Sequence, residues 1–474
     1  VSEQVYKIRS RWPRRLAFAA PILAAAALTG WYFAGRSADR EGASTVVDEI
    51  VARWMSDGSI AGLAVGVRRG GQPLHAAGYG QADVENGLPV NAQSVFHVGS
   101  ITKQFTAAAI LQLEEAGALT LDDPIARHLP YGPDFAPGVT IRSLLNHTSG
   151  IKNYTTLERW WRTIGVEMTP EEVVSLFKDE PLDFAAGDRF SYSNSGYFLL
   201  GWILERASTK PYGGYLNEHF ATPLDLPSTR YCDDRALVPN RARGYQWVDD
   251  ELANAPYVSM SQAYAAGGVC SNVIDLLRWS RLLSGGAVVG ADGYARMATP
   301  DTLNDGTPIE YGYGLAVGYR DGRRRVSHVG ATLGFASFIT EYPDDDLGIV
   351  VLSNTEEAPV AAIEADIARA LLGIERPDLR DIPLTPEELA LYSGRYDMAL
   401  AEVSILPEGG ALVAEIVVPG LEGRHPLVHQ GNGEFYLADD SETVALFDVV
   451  DGVAEGFVLV HQGITMRGIR ISGP

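Results

Sequence analysis

Two serines in this chain sit three residues ahead of a lysine: Ser100-Ile101-Thr102-Lys103 and Ser175-Leu176-Phe177-Lys178. A serine hydroxyl becomes a nucleophile when a nearby base takes its proton, and a lysine one helical turn on can be that base if it is held neutral. A chain of this length holds about one such spacing by chance, so context must choose between the two. Ser100 follows His97-Val98-Gly99 and opens a segment with Ile101, Phe105, Ala108, Leu111 and Leu113 at helical spacing, ending near Gly117. A serine at a helix start has a backbone N–H with no intrahelical partner, free to bind a developing oxyanion. Lys103 then falls on the same face, one turn along. Ser175 sits inside Pro170-Glu171-Glu172-Val173-Val174, where its N–H is committed to the helix. Ser100 and Lys103 are therefore the catalytic candidates.

Tyr192-Ser193-Asn194 is a second constellation, between the loop Ala185-Ala186-Gly187-Asp188 and a helical run over Tyr197–Ala207. A tyrosine hydroxyl there could relay a proton, and an asparagine amide could hold a substrate carbonyl. Tyr215-Leu216-Asn217 repeats the spacing inside a predicted helix, with no loop to project from. The third constellation, His328-Val329-Gly330, closes a predicted strand whose edge could seat a substrate backbone. His429-Gln430-Gly431 and His461-Gln462-Gly463 are its look-alikes in the tail of the chain.

The elements that must position these groups show in the hydrophobic pattern. A helix is predicted over Thr45–Met55, and a hairpin with strands Gly62–Arg69 and Leu74–Tyr79 around Gly70-Gly71. Helical patterns dominate residues 100 to 235. Strands return at Tyr313–Tyr319, Arg325–Val329, Ala336–Tyr342 and Leu347–Ser353, with Asp344-Asp345-Asp346 as a turn, and a helix follows over Ala358–Leu372. Strands flanking a helical middle describe one sheet built from both ends of a domain. Pro377, Pro383 and Pro386 mark a linker, and residues 388–474 pattern as short strands able to close a small barrel. Cys232 and Cys270 are the two cysteines; they could pair or stay as buried thiols. Neither they nor any His-Glu-x-x-His run suggests a metal site.

The 474 residues carry a net charge of −22, from 38 Lys+Arg against 60 Asp+Glu, which disfavours nucleic acid as a partner. The start is the exception: Lys7, Arg9, Arg11, Arg14 and Arg15 face Glu3 alone. Leu16 to Gly35 then carries no charge and has Trp31 and Tyr32 at its far end, which fits a membrane anchor or a cleaved export signal. The basic flank predicts a cytoplasmic N-terminus, with the remainder facing the periplasm from a bacterial inner membrane, or released there after cleavage.

Together the three constellations, in this order and context, resemble the penicillin-recognising serine hydrolases: class C β-lactamases, D-alanyl-D-alanine carboxypeptidases, D-aminopeptidases and related esterases. Ile141 through Gly150, Ala266 through Ser271, and His328 through Phe335 add to the resemblance, which spans residues 45 to 372. It implies an α+β, β-lactamase-like fold, an antiparallel sheet flanked by helices with an all-helical region, here followed by a small all-β, barrel-like domain. The expected layout is a basic segment at 1–15, an anchor or signal at 16–35, a hydrolase domain at 43–373, a linker at 374–387 and the all-β domain at 388–474. The resemblance implies that Ser100 is acylated, that Lys103 and Tyr192 handle the proton, and that Asn194, His328 and Gly330 bind substrate. The N–H groups of Ser100 and Ala331 would form the oxyanion hole. The expected reaction needs no cofactor and acts through an acyl-enzyme on small amides or esters, including D-amino-acid peptides or cell-wall fragments. Class C β-lactamases carry lysine where this chain has His328, so a substrate carboxylate finds less attraction here and β-lactam hydrolysis should be weak. A β-lactamase and an idle penicillin-binding-like sensor or scaffold are the alternatives. His147 and His97 are read as structural, and Tyr154, Trp160 and Trp161 either as core or as the pocket mouth.

Overall fold

The structure, a computed structural model, describes residues 41–472 apart from 133, 234, 376–378, 399–401, 417–422, 439–442, 451 and 462–463. The basic segment 1–15 and the apolar segment 16–35 lie outside the described residues. Among the described residues no helix is long and apolar enough to cross a membrane.

Helix α1 (41–54) leads into strands β1 (Gly62–Arg69) and β2 (Gln72–Asp83). The turn between them places Gly70 and Gly71 at φ +57° and +69°, left-handed values that only glycine adopts cheaply in succession. After the short β3 (Leu88–Pro89) the chain leaves the sheet for helices α2 (Thr102–Glu115), α3 (Asn194–Ser208) and α4 (Val273–Ser284). It returns as β4 (Ala316–Arg320), β5 (Arg323–Thr332), β6 (Phe335–Tyr342) and β7 (Leu347–Ser353), and closes with α5 (Val360–Leu372). The antiparallel sheet has the order β3-β2-β1-β7-β6-β5-β4. The first and last strands meet at its centre, with Val65 opposite Val351. That is the sheet from both ends expected from the pattern.

The central strands are buried on both faces, which is why they are nearly continuous apolar runs. Leu63, Val65 and Val67 of β1 join Ile349 and Val351 of β7 against α1 and α5. Ala64, Val350 and Leu352 face the other way, toward α2 and α4. Helix α2 differs from the amphipathic expectation: it is buried almost all round, because α3 and the segment Met260–Gly267 cover the side turned from the sheet. Strand bounds also shift: the strand expected over Leu74–Tyr79 extends over Gln72–Asp83, and two shifts bear on the site. Tyr313 lies before strand β4, because Gly314 (φ +70°) brings the chain down onto α2, where a Cβ would stand 2.6 Å from the Lys103 carbonyl oxygen. Strand β5 runs past Val329 to Thr332. The three aspartates make a short turn closed by ion pairs, Asp345 with Arg323 and Asp346 with Arg68, each at 2.7 Å.

From Gly394 onward eight strands close a barrel filled by Tyr396, Phe435, Phe447 and Phe457. The all-β reading of 388–474 misses one element: a helix over Pro386–Tyr392, begun by a capping box between Thr385 and Glu388, packs Leu389 and Tyr392 onto the barrel core.

Candidate active site

Ser100 lies in a single 3-10 turn, Gly99–Ile101, that runs into α2. Gly99 takes φ +48°, and a side chain there would meet the Ala331 backbone at 2.6 Å. From the other side, a Cβ on Gly330 would stand 2.1 Å from the Val98 carbonyl and 3.1 Å from the Ser100 nitrogen. The two glycines thus let the nucleophile turn and the end of β5 touch backbone to backbone. The Ser100 and Ala331 amides are brought to one place, as an oxyanion hole requires. Gly330 earns its place in this packing and presents no side chain to a substrate.

Lys103 is fully buried, and its Nζ has three neighbours: Ser100 Oγ at 2.9 Å, Asn194 Oδ1 at 2.9 Å and the Ala266 carbonyl at 2.8 Å. Burial pushes its pKa well below the usual lysine value. A neutral amine has two N–H donors and one lone pair. The Ala266 and Asn194 oxygens can only accept, so the lone pair is left for the Ser100 hydroxyl, the one neighbour able to donate. Asn194, the first residue of α3, is itself held: its backbone N–H donates to Asn153 Oδ1 and its Nδ2 to Thr155 Oγ1, both at 3.2 Å.

Tyr192 completes the group. Its hydroxyl interacts with Ser100, and its ring centroid lies 4.8 Å from Lys103 Nζ. Burial raises its pKa, so it stands as a phenol, a donor. His147 explains how the loop is fixed. Its carbonyl accepts from the Ser191 N–H at 2.9 Å and its Nδ1 from the Ser193 N–H at 3.1 Å, so the two bonds bracket Tyr192. The ring also packs on Tyr192 at 4.3 Å. Burial and the neighbouring Lys103 keep His147 neutral, in keeping with a structural role.

His328 is near, its ring 6.3 Å from that of Tyr192, but it is turned inward. Nε2 meets the Tyr311 hydroxyl at 2.8 Å and Nδ1 the Val329 carbonyl at 2.5 Å. With Nδ1–H donating to that carbonyl, Nε2 accepts from Tyr311. Burial, then Lys103, lowers its pKa to about 3. The third constellation therefore brings no cation to the site.

The look-alikes are elsewhere. Ser175 Oγ donates to the Glu172 carbonyl at 2.6 Å on an exposed helix, and Lys178 pairs with Asp179. Tyr215 bonds Gln112. Tyr154 and Trp160 are core, while Trp161 is exposed. Cys232 and Cys270 are free, buried thiols in contact with each other. Sequence reading missed Asn153, Thr155, Tyr311 and the Ala266 carbonyl. The first three carry no spacing signature, and a backbone acceptor leaves none.

Comparison with known proteins supplies the family. The beta-lactamase family profile matches residues 47–374. Penicillin-binding protein 4* of Bacillus subtilis (strain 168) is 30% identical over 85% of this chain and 93% of its own length. A D-aminopeptidase of Gluconobacter oxydans (strain 621H) is 26% identical, covering 76% of this chain and 68% of that protein. Among solved structures, the octameric penicillin-binding protein homologue from Pyrococcus abyssi superposes with a TM-score of 0.64 at 24% identity, over 90% of this chain and 99% of that one. That likeness shows the fold, barrel included. By profile, by relatives and by fold, the chain belongs to the beta-lactamase family of serine hydrolases.

Proposed function

We propose that the protein hydrolyses small D-amino-acid amides and short peptides through an acyl-enzyme on Ser100. The observation that carries this is the donor count at Lys103: two acceptors and one hydroxyl around a dry amine. Lys103 takes the Ser100 proton as Oγ attacks the substrate carbonyl, and the oxyanion forms against the Ser100 and Ala331 amides. The leaving amine then takes a proton from the Tyr192 hydroxyl, which Lys103 resupplies; water releases the acyl group by the reverse traffic. Asn194 is placed to orient the substrate amide. The neutral, inward His328 offers a substrate carboxylate no cation, which favours amides over carboxylate-bearing β-lactams. The D-aminopeptidase among the relatives supports the D-amino-acid choice.

The test is hydrolysis of p-nitrophenyl acetate and of D- and L-alanine p-nitroanilide, with Ser100→Ala and Ser175→Ala beside the parent. Turnover should vanish in Ser100→Ala only, with the D-anilide cleaved faster than the L form. Survival of turnover in Ser100→Ala would move the chemistry to another residue. An inactive parent that also resists covalent labelling at Ser100 would establish the scaffold reading instead. We also propose that residues 16–35 place the hydrolase on the periplasmic side of a bacterial inner membrane. An alkaline phosphatase fusion after residue 40 should then be active, and an inactive one refutes the export.

A further inference from the structure

A cavity of about 650 Å³ lies apart from the residues around Ser100. Its wall runs from Glu205 at the end of α3 through the helix Tyr212–Leu216 to Thr229–Tyr231 and Tyr264. Its chemistry is distinctive. The rings of Tyr212, Tyr231 and Tyr264 form an aromatic corner, with centroids 5.1 Å apart for Tyr212 and Tyr264 and 5.9 Å for Tyr212 and Tyr231. Beside them stands the Glu205 carboxylate, one oxygen of which accepts from the Tyr212 N–H at 2.7 Å. The Tyr264 hydroxyl is buried and interacts with that carboxylate, outside good hydrogen-bond geometry. A buried hydroxyl without a well-aligned partner is a group that a bound molecule can satisfy. Arg230 turns one N–H to the Pro227 carbonyl, and Asp225 is engaged by Arg278. Arg230 and Asp233 also line the wall, as opposite charges, and Glu205 is the carboxylate that stands against the tyrosine rings. A carboxylate beside aromatic faces is the chemistry that holds an organic ammonium.

The wall also touches the catalytic group. The Tyr212 hydroxyl meets Thr106 Oγ1 at 2.7 Å, and Thr106 Oγ1 donates to the Ala265 carbonyl at 2.8 Å. The next carbonyl, of Ala266, is the acceptor of Lys103. Tyr264, the residue before Ala265, sits at φ +38°, ψ −128°, a strained conformation for a residue with a side chain. The segment Tyr264–Ala266 is thus held on one side by the cavity wall and on the other by the lysine.

We propose that this cavity is a second binding site, for a small organic ammonium ion seated with its charge at Glu205 and its body against the tyrosines, and that its occupancy alters the placement of Lys103 through Tyr264–Ala266. The binding claim stands apart from the catalytic reading, since it is measured without turnover; the coupling rests on that reading. The test is calorimetric titration of benzylammonium, with benzyl alcohol as the uncharged control, into the full chain and into Ser100→Ala. Saturable binding in both is expected, at least tenfold tighter than the alcohol. Glu205→Gln keeps the acceptor for the Tyr212 N–H and should weaken binding at least tenfold. Gly214 lines the cavity in open space, where a Cβ would meet only the Pro211 ring at 3.7 Å. Gly214→Leu should therefore block the site without disturbing the fold, and leave turnover without ligand unchanged. In the parent, benzylammonium should change kcat for p-nitrophenyl acetate, and Gly214→Leu should abolish that response. Absence of saturable binding, binding indifferent to both variants, or binding lost when Ser100 is covalently blocked would overturn the site. Binding with kcat unchanged would overturn the coupling.

Discussion

At the residue scale, everything turns on the proton of Lys103. A lysine in water is charged at neutral pH and no base. Burial removes that charge more cheaply than it hides it, so the pKa falls. As the base must be deprotonated, kcat/KM for a non-ionising ester should rise with pH through the Lys103 pKa and level off above it, with the inflection well below the ordinary lysine value of 10.5. His328, titrating near 3, should add no inflection around neutrality. Lys103→Arg tests the same point, because a guanidinium does not lose its proton in a protein; it should cost about 10²–10⁴ in kcat. Turnover within tenfold of the parent, or an inflection at the ordinary lysine position, would remove Lys103 from the role of base. That Ser100, Lys103, Tyr192 and Asn194 would stand together was legible beforehand because their types limit their chemistry and their local contexts differ from those of the look-alikes. His328 was legible in place but not in posture. Nothing around it in the sequence shows that Tyr311, seventeen positions upstream and in no motif with it, takes one ring nitrogen while the Val329 carbonyl takes the other.

At the scale of elements, the site is a contact between a turn and a strand end that are far apart in sequence. Glycine is required on both sides of that contact, for conformation and space at Gly99 and for space alone at Gly330. The contact is pinned by Ser337 on β6, whose hydroxyl bridges the Val98 and Gly330 carbonyls at 2.9 and 3.1 Å. A methyl at Gly330 would also meet that hydroxyl, at 2.4 Å. Gly330→Ala should therefore destabilise the protein by about 1–3 kcal/mol, as overpacking does, and lower kcat more than it raises KM, because the two amides are spread apart. Gly322→Ala is the control for losing a glycine without crowding: it has a left-handed φ, +74°, which Gly330 lacks, and open space around it. It should cost about 1 kcal/mol of strain and leave kcat alone. Equal kinetic effects of the two substitutions would show that Gly330 matters for folding only. The strands and their pairing around the centre of the sheet could be anticipated because both faces are buried and the runs are apolar. The ends of β4 and β5 could not, because tertiary contacts with α2 and with the nucleophile turn set them.

At the scale of the molecule, the chain has separate interiors. Among the described residues, the barrel core, from Tyr392 through Phe435 and Phe447 to Leu459, is made only of residues after 383, and the two clusters on either side of the sheet only of residues before 373. Helix Pro386–Tyr392 belongs by packing to the barrel rather than to the stretch that precedes it. Cooperative unfolding follows shared burial, so two bodies with no common core should melt as two transitions. Scanning calorimetry of a chain beginning near residue 41 should resolve both. A covalent acyl group on Ser100 adds contacts to the first body alone, so it should raise one transition and leave the other in place. If instead both shift together, the barrel shares its stability with the hydrolase region, and its surface, not only its core, has to be counted as part of the enzyme.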